Sequence, residues 1–107
     1  MAKKDKFVAF DGSNRIKAKI RQRRSQMLIH SCLYYEMDDS IVSDDQWQQW
    51  ADELEVLQKE NPKFMKIDFF DHEFKDWDGA TGSHLPHRHP WVYAKSKYIL
   101  DIHDRMK

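Results

Sequence analysis

The sequence predicts an all-α fold: a small single domain built on a helical hairpin, with a third short helix and a C-terminal helix. Three observations carry this. Trp47, Trp50, Leu54 and Leu57 recur at the spacing of one helix face. Ser43 followed by Gln46 is a capping box, and Pro62 disfavours helical geometry at Asn61, so that helix has a marked start and stop. Pro90 is placed as the first residue of a last helix, where its fixed backbone angle is suited to the role.

Taken in order, residues 1–12 form a basic N-terminal arm whose only apolar content is Phe7, Val8 and Phe10. Asp11 to Asn14 is turn chemistry, with Ser13 or Asn14 as caps for a first helix running from Arg15 to about Met37. Ile16, Ile20, Met27, Ser31 and Tyr34 trace one side of it, with Leu28, Cys32 and Tyr35 beside them. Its first half is thinly apolar and crowded with Arg and Lys, and is expected to project beyond the core. The connection Met37 to Val42 turns Ile41 and Val42 inward, and the second helix ends near Glu60. Asp44 and Asp45 sit in its first turn, where the helix dipole favours negative charge.

The aromatic-rich connection 61–89 follows. Ile67, Phe70 and Phe74 fit a short helix, with a strand over Met65 to Phe70 as the rival reading. Asp78 to Gly82 is a loop by composition, and Ser83 to His89 stays irregular around Pro86. The C-terminal helix, 90–105, is expected to bury Trp91, Ala94, Tyr98 and Ile102. The domain therefore comprises residues 13–107, with the hairpin over 15–60.

The net charge is zero, with 18 basic and 18 acidic residues, but the charge is segregated. Residues 1–24 carry nine Lys/Arg against two Asp, and residues 36–60 carry nine Asp/Glu against one Lys. Such a dipolar surface steers partners more than it shapes the fold. The single cysteine, Cys32, points to a reducing compartment and reads as a small buried apolar residue. No run of about 18 apolar residues exists, so a soluble, cytoplasmic protein is expected.

The hairpin connection reads Tyr34-Tyr35-Glu36-Met37-Asp38-Asp39-Ser40-Ile41-Val42-Ser43-Asp44-Asp45-Gln46-Trp47-Gln48, followed by Ala51-Asp52-Glu53-Leu54 and Pro62. It resembles the N-terminal Ia domain of bacterial NAD-dependent DNA ligases over about Arg24 to Pro62. The resemblance implies a segment that grips the nicotinamide mononucleotide (NMN) half of NAD, with aromatic rings stacking on the nicotinamide and carboxylates on the ribose. By position, Tyr34, Tyr35 and Asp44 match. The family's Tyr is Trp47 here, which can still stack, and its Asp is Gln48, which carries no charge. Tyr34 and Trp47 also sit on core stripes of their helices. The stretch from the hairpin through Trp77-Asp78-Gly79 to Pro90-Trp91-Val92 also looks like small stand-alone phage proteins that carry a ligase label.

Ligation itself is not expected, because Lys75-Asp76-Trp77-Asp78-Gly79 has one residue too many for the Lys-x-Asp-Gly nucleophile motif and these 107 residues hold no nucleotidyltransferase domain. His84, His87 and His89 form His-x-x-His-x-His, which with His72, Asp71 and Glu73 nearby in sequence raises a metal site but reads as a solvated polar loop. Arg21, Arg23 and Arg24 are the candidate phosphate contacts for a nucleic-acid reading. The leading expectation is a non-catalytic, phage-type protein-binding module that modulates a host enzyme. The alternatives are an NMN- or NAD-binding protein using Tyr34, Tyr35, Asp44, Trp47 and Gln48, and nucleic-acid binding through the basic first helix.

Overall fold

The computed structural model describes residues 13–106; the basic arm expected over 1–12 lies outside them. Among the described residues every regular element is helical: α1 (Ser13–Glu36), α2 (Asp44–Glu60), a 3-10 turn (Pro62–Phe64), the single-turn α3 (Asp71–Phe74) and α4 (Pro90–Arg105). Helices α1 and α2 form the hairpin, and α4 packs along α1. The core takes Ile20, Met27, Leu28, Cys32 and Leu33 from α1, Ala51 and Leu54 from α2, and Val92 from α4. Phe69, Phe74, Trp77 and Leu85 from the long connection complete it. Each buried Ile, Leu, Val, Met or Phe among them contributes roughly 1.5–3 kcal/mol by leaving water. No helix among the described residues is long and apolar enough to cross a membrane.

The hairpin turn forms as the sequence signals indicate. Past α1 the chain turns left-handed at Asp38 (φ +50°), a residue type that tolerates this region, and the Asp39 amide reaches back to the Leu33 carbonyl at 2.9 Å. Ser43 is extended, and its Oγ accepts from the Gln46 amide at 3.0 Å, so the N-cap is in place.

Four expectations need correction. The first half of α1 does not project: Ile20 is fully buried, and Ile16 packs on the core alongside Phe64 of the 3-10 turn. Residues 61–71 fold back beneath it because Arg24, itself fully buried, gathers them. Its guanidinium donates to Gln58 Oε1 (2.9 Å), Phe69 O (2.9 Å), Met65 O (2.9 Å) and Asp71 Oδ1 (2.7 Å). Second, neither a helix from Ile67 nor a strand over 65–70 forms. Asp68 and Phe70 both adopt left-handed backbone (φ +56°), which breaks both patterns and leaves only Asp71–Phe74 helical.

Third, α4 is rotated from the expected stripe. Val92 and Ser96 are its buried residues, whereas Ala94 and Tyr98 face solvent. The small Ser96 lets α4 approach α1 closely; its hydroxyl donates to Val92 O at 2.7 Å and lies 3.3 Å from Ile29 O. Fourth, Tyr34 is 58 % exposed, so it does not belong to the core stripe of α1.

Candidate functional site

A cleft of about 220 Å³ opens at the hairpin turn. Helix α1 contributes His30, Ser31, Tyr34 and Tyr35, the turn contributes Ser40 to Val42, and the start of α2 contributes Asp44, Trp47 and Gln48. A third wall comes from Ala80, Thr81 and Gly82 of the long connection. The structure therefore brings Tyr34, Tyr35, Asp44, Trp47 and Gln48 around one cavity. The helical period explains it: His30 and Tyr34, like Ser31 and Tyr35, are four residues apart on α1, and Asp44, Trp47 and Gln48 share a face of α2.

The aromatic walls are held in place. Tyr34 and Tyr35 meet edge to face at 4.9 Å, and Tyr35 stacks on His87 at 5.1 Å and 12°. Trp47 lies edge-on to Trp77 at 6.3 Å, and Trp77 Nε1 donates to Ala51 O at 3.0 Å. The Gln48 amide nitrogen donates to Gly79 O (3.0 Å) and to Asp52 Oδ1 (2.9 Å). A carboxylate there would face a carbonyl and another carboxylate with no proton to offer.

The segment 79–89 is tied down along its length. Gly79 needs its positive φ of 77°, and a Cβ there would press on Asp52 Oδ1 at 3.2 Å. A Cβ on Gly82 would fall on Ser31 Oγ and within 3.3 Å of Trp47 Cζ2, so only glycine lets the wall come this close. The solvated histidine loop expected here does not hold at His87, which is buried, with Nε2 2.8 Å from Gly82 O, while its backbone oxygen accepts from Cys32 Sγ at 3.3 Å. Arg88 pairs with Glu36 at 3.0 Å.

The electrostatics are one-sided. Asp44 is the carboxylate among the lining residues, and no Lys or Arg lines the cleft. Burial pushes the His30 imidazole below its ordinary value, favouring its neutral form. Behind the lining, where the His30 ring packs 5.5 Å from that of Trp50, His30 Nδ1 and Ser31 Oγ are buried and have no hydrogen-bond partner. They are not bonded to each other, so they form no activated nucleophile. Burial also pushes the Cys32 thiol up, which suits packing and not reactivity. The arrangement can hold a flat aromatic group and offer it hydrogen bonds.

The other candidate residues are used structurally. Arg24 is not a phosphate contact, because it is fully buried with its donors engaged; this corrects that part of the nucleic-acid expectation. Arg23 pairs with Glu53 at 2.7 Å, and the Arg21 guanidinium lies 3.9 Å from the centroid of the Phe69 ring. Among the described residues no group of three or more His, Cys, Asp or Glu is placed to hold a metal ion. His89 caps α4 by accepting from the Trp91 amide, and the His84 ring lies 6.1 Å from that of Trp77. Sequence reasoning missed His30, Ser31 and the 80–82 wall. The two helix positions carried a signal in their spacing from Tyr34 and Tyr35; the wall carried none.

A family model for the DNA ligase-like, N-terminal NAD+-binding domain matches residues 13–69, just over half of the chain. A DNA ligase of Endomicrobium trichonymphae is 28 % identical over 83 residues, covering 78 % of this chain and 12 % of the ligase. The chain thus spans about an eighth of that relative's length. No solved structure matches.

Proposed function

The chain belongs to the family of DNA ligase-like, N-terminal NAD+-binding domains, and from that premise we propose that it is a non-catalytic module that holds the NMN end of NAD in the hairpin cleft. The observation that carries this reading is the convergence of Tyr34, Tyr35, Asp44, Trp47 and Gln48 on a single cavity. Drug-sized ligands occupy cavities of roughly 300–1,000 Å³. A cleft of about 220 Å³ accepts a ring and part of its sugar, not a whole dinucleotide. Tyr34, Tyr35 and Trp47 supply π-faces for a cationic pyridinium, and Asp44 supplies its counter-charge and an acceptor for ribose hydroxyls. Gln48 supports the site by holding the 79–82 wall and is not itself the charged ribose acceptor.

Calorimetry and tryptophan fluorescence with NMN and NAD test this. Binding should quench Trp47. Asp44→Ala should weaken it roughly 10- to 100-fold, the equivalent of one hydrogen bond to a charged group. Tyr34 and Asp44 are both exposed, so Tyr34→Ala and Asp44→Ala should leave the helical spectrum intact. Absence of binding at millimolar ligand would refute the reading.

A second reading, a protein-binding module that modulates a host enzyme, is favoured by one observation. Tyr93 and Tyr98 are exposed on α4, and Met106 at its C-terminal end, away from the cleft. Tyr98→Ser should then release a stoichiometric partner from pull-downs while leaving nucleotide binding unchanged.

A further inference from the structure

We propose that His87, which lies beyond the 13–69 span that the family model matches, is the positioning residue of the cleft. Without touching the ligand, its ring fixes the Tyr35 wall and the Gly82 wall relative to each other. The proposal rests on the nucleotide-binding reading above and adds to it the residue that sets the spacing of the walls.

His87 is only 7 % exposed and is not one of the lining residues. Its ring lies almost parallel to that of Tyr35, 5.1 Å away and inclined by 12°. Tyr35 is 47 % exposed, so the rings it touches decide where it points. Tyr34 meets it edge to face but is itself exposed, which leaves the buried imidazole as the fixed member of the group. On the polar side of the ring, His87 Nε2 lies 2.8 Å from Gly82 O. A carbonyl oxygen only accepts, so this contact places a ring proton on Nε2. Gly82 in turn sits against α2, where a Cβ on it would come within 3.3 Å of Trp47 Cζ2. One ring thus joins α1 to the 80–82 wall, and through that wall to Trp47.

The backbone of His87 is anchored independently of this ring. Its amide donates to Leu85 O at 2.8 Å, its carbonyl accepts from Cys32 Sγ at 3.3 Å, and Leu85 is buried in the core. Because the thiol meets the backbone and not the imidazole, Cys32 and His87 form no nucleophile–base pair. Nδ1 lies 3.7 Å from Glu36 Oε2, too far for a hydrogen bond, and that carboxylate already pairs with Arg88. What the ring contributes is therefore placement. Walls ordered before a ligand arrives spare it the cost of ordering them on binding.

Two substitutions divide the two contacts. His87→Phe keeps a ring against Tyr35 and removes the donor to Gly82; His87→Gln keeps a donor and removes the ring. Calorimetry with NMN on the full chain should show each variant binding roughly 2- to 12-fold more weakly, the equivalent of one hydrogen bond or one aromatic pair. Hydrogen exchange over 79–82 should quicken in His87→Phe and stay near the wild-type rate in His87→Gln. A double-mutant cycle with Tyr35→Ala separates positioning from a general loss of structure. His87→Gln should cost no further affinity once Tyr35 is gone, whereas His87→Phe should still cost its share. Should His87→Phe fail to fold, the His87→Gln cycle alone decides. A change in NMN affinity below twofold in His87→Gln, or the same loss from His87→Gln with and without Tyr35, overturns the proposal and leaves the nucleotide-binding reading standing. If the wild type binds no NMN, that reading falls and the proposal falls with it.

Discussion

Replacing Arg24 should be the most damaging single change in the described chain, and the structure sets the scale. The guanidinium is fully buried and makes four hydrogen bonds, to Gln58, Phe69, Met65 and Asp71. Burial pushes its pKa down and the Asp71 hydrogen bond and charge push it up, yet an arginine remains protonated in a protein. Arg24→Ala would leave the buried Gln58 oxygen and two backbone carbonyls without donors, and would open a void beside Phe74. The Asp71 carboxylate is 30 % exposed, so water reclaims it and its share of the loss is small. Removing one partner of a buried ionic network costs roughly 3–5 kcal/mol, against a total stability of about 5–15 kcal/mol. At roughly 4–8 °C per kcal/mol, the melting temperature should fall by at least about 12 °C. Urea denaturation followed by circular dichroism measures this. Arg24→Lys, which keeps the charge but not the fork of donors, should recover only part of the loss. A decrease below about 1 kcal/mol in the alanine variant would refute the view that this side chain organises residues 61–71.

Two further outcomes follow from the same geometry. Stability should fall in acid in two stages. His30 is held below its ordinary value by burial, so the unfolded chain binds the proton more tightly and stability is lost as pH drops below about 6.5. Desolvation raises the Asp71 carboxyl, but the hydrogen bond from Arg24, the amides of Ile67 and Asp68 and the Arg24 charge outweigh it; the net depression adds a second loss below about pH 3.8. His30→Phe should remove the first stage in a pH series of urea melts and keep the second. Gln48→Asp should loosen the third wall, because it loses both donated bonds and sets a carboxylate near Asp52. Gln48 is exposed, so water replaces much of what is lost; we expect a decrease of about 0.5–1.5 kcal/mol and faster amide exchange over 79–82, read by hydrogen-exchange mass spectrometry.

The helices were legible because their signals are local. Ser43, Gln46 and the Trp47–Leu57 stripe mark α2 within one stretch of chain, and Pro90 marks α4 by its own stereochemistry. What failed was non-local. A run of six Arg and Lys between Arg15 and Arg24 reads as a solvated face, and nothing in its spacing reveals that Arg24 will meet carbonyls 41 and 45 residues away. The stripe on α4 was misplaced for a related reason. A large residue such as Tyr98 outweighs a serine in any hydrophobic count, yet close helix packing chose Ser96. Of the cleft lining, Tyr34, Tyr35, Asp44, Trp47 and Gln48 could be named from the resemblance. The glycine wall could not, since its contacts with Ser31 and Trp47 depend on how the connection folds back.

Gln48 is a joint between the two halves of the molecule. Residues 13–69, the part matched by the family, build two walls of the cleft, but their inner face is finished by others: Phe74, Trp77, Leu85 and Val92 fill the core against α1 and α2. Gln58 of α2 donates to Phe74 O at 2.8 Å, and Trp77 donates to Ala51 O, so the hairpin's own polar groups are satisfied from outside the matched span. In that setting an amide at position 48 suits the fold better than a carboxylate, because one of its protons ties the connection at Gly79 O and the other goes to Asp52 one turn along α2. This tie brings Gly82 onto Ser31, and with it the third wall of the cleft. Asp44 is left as the acidic group of the site.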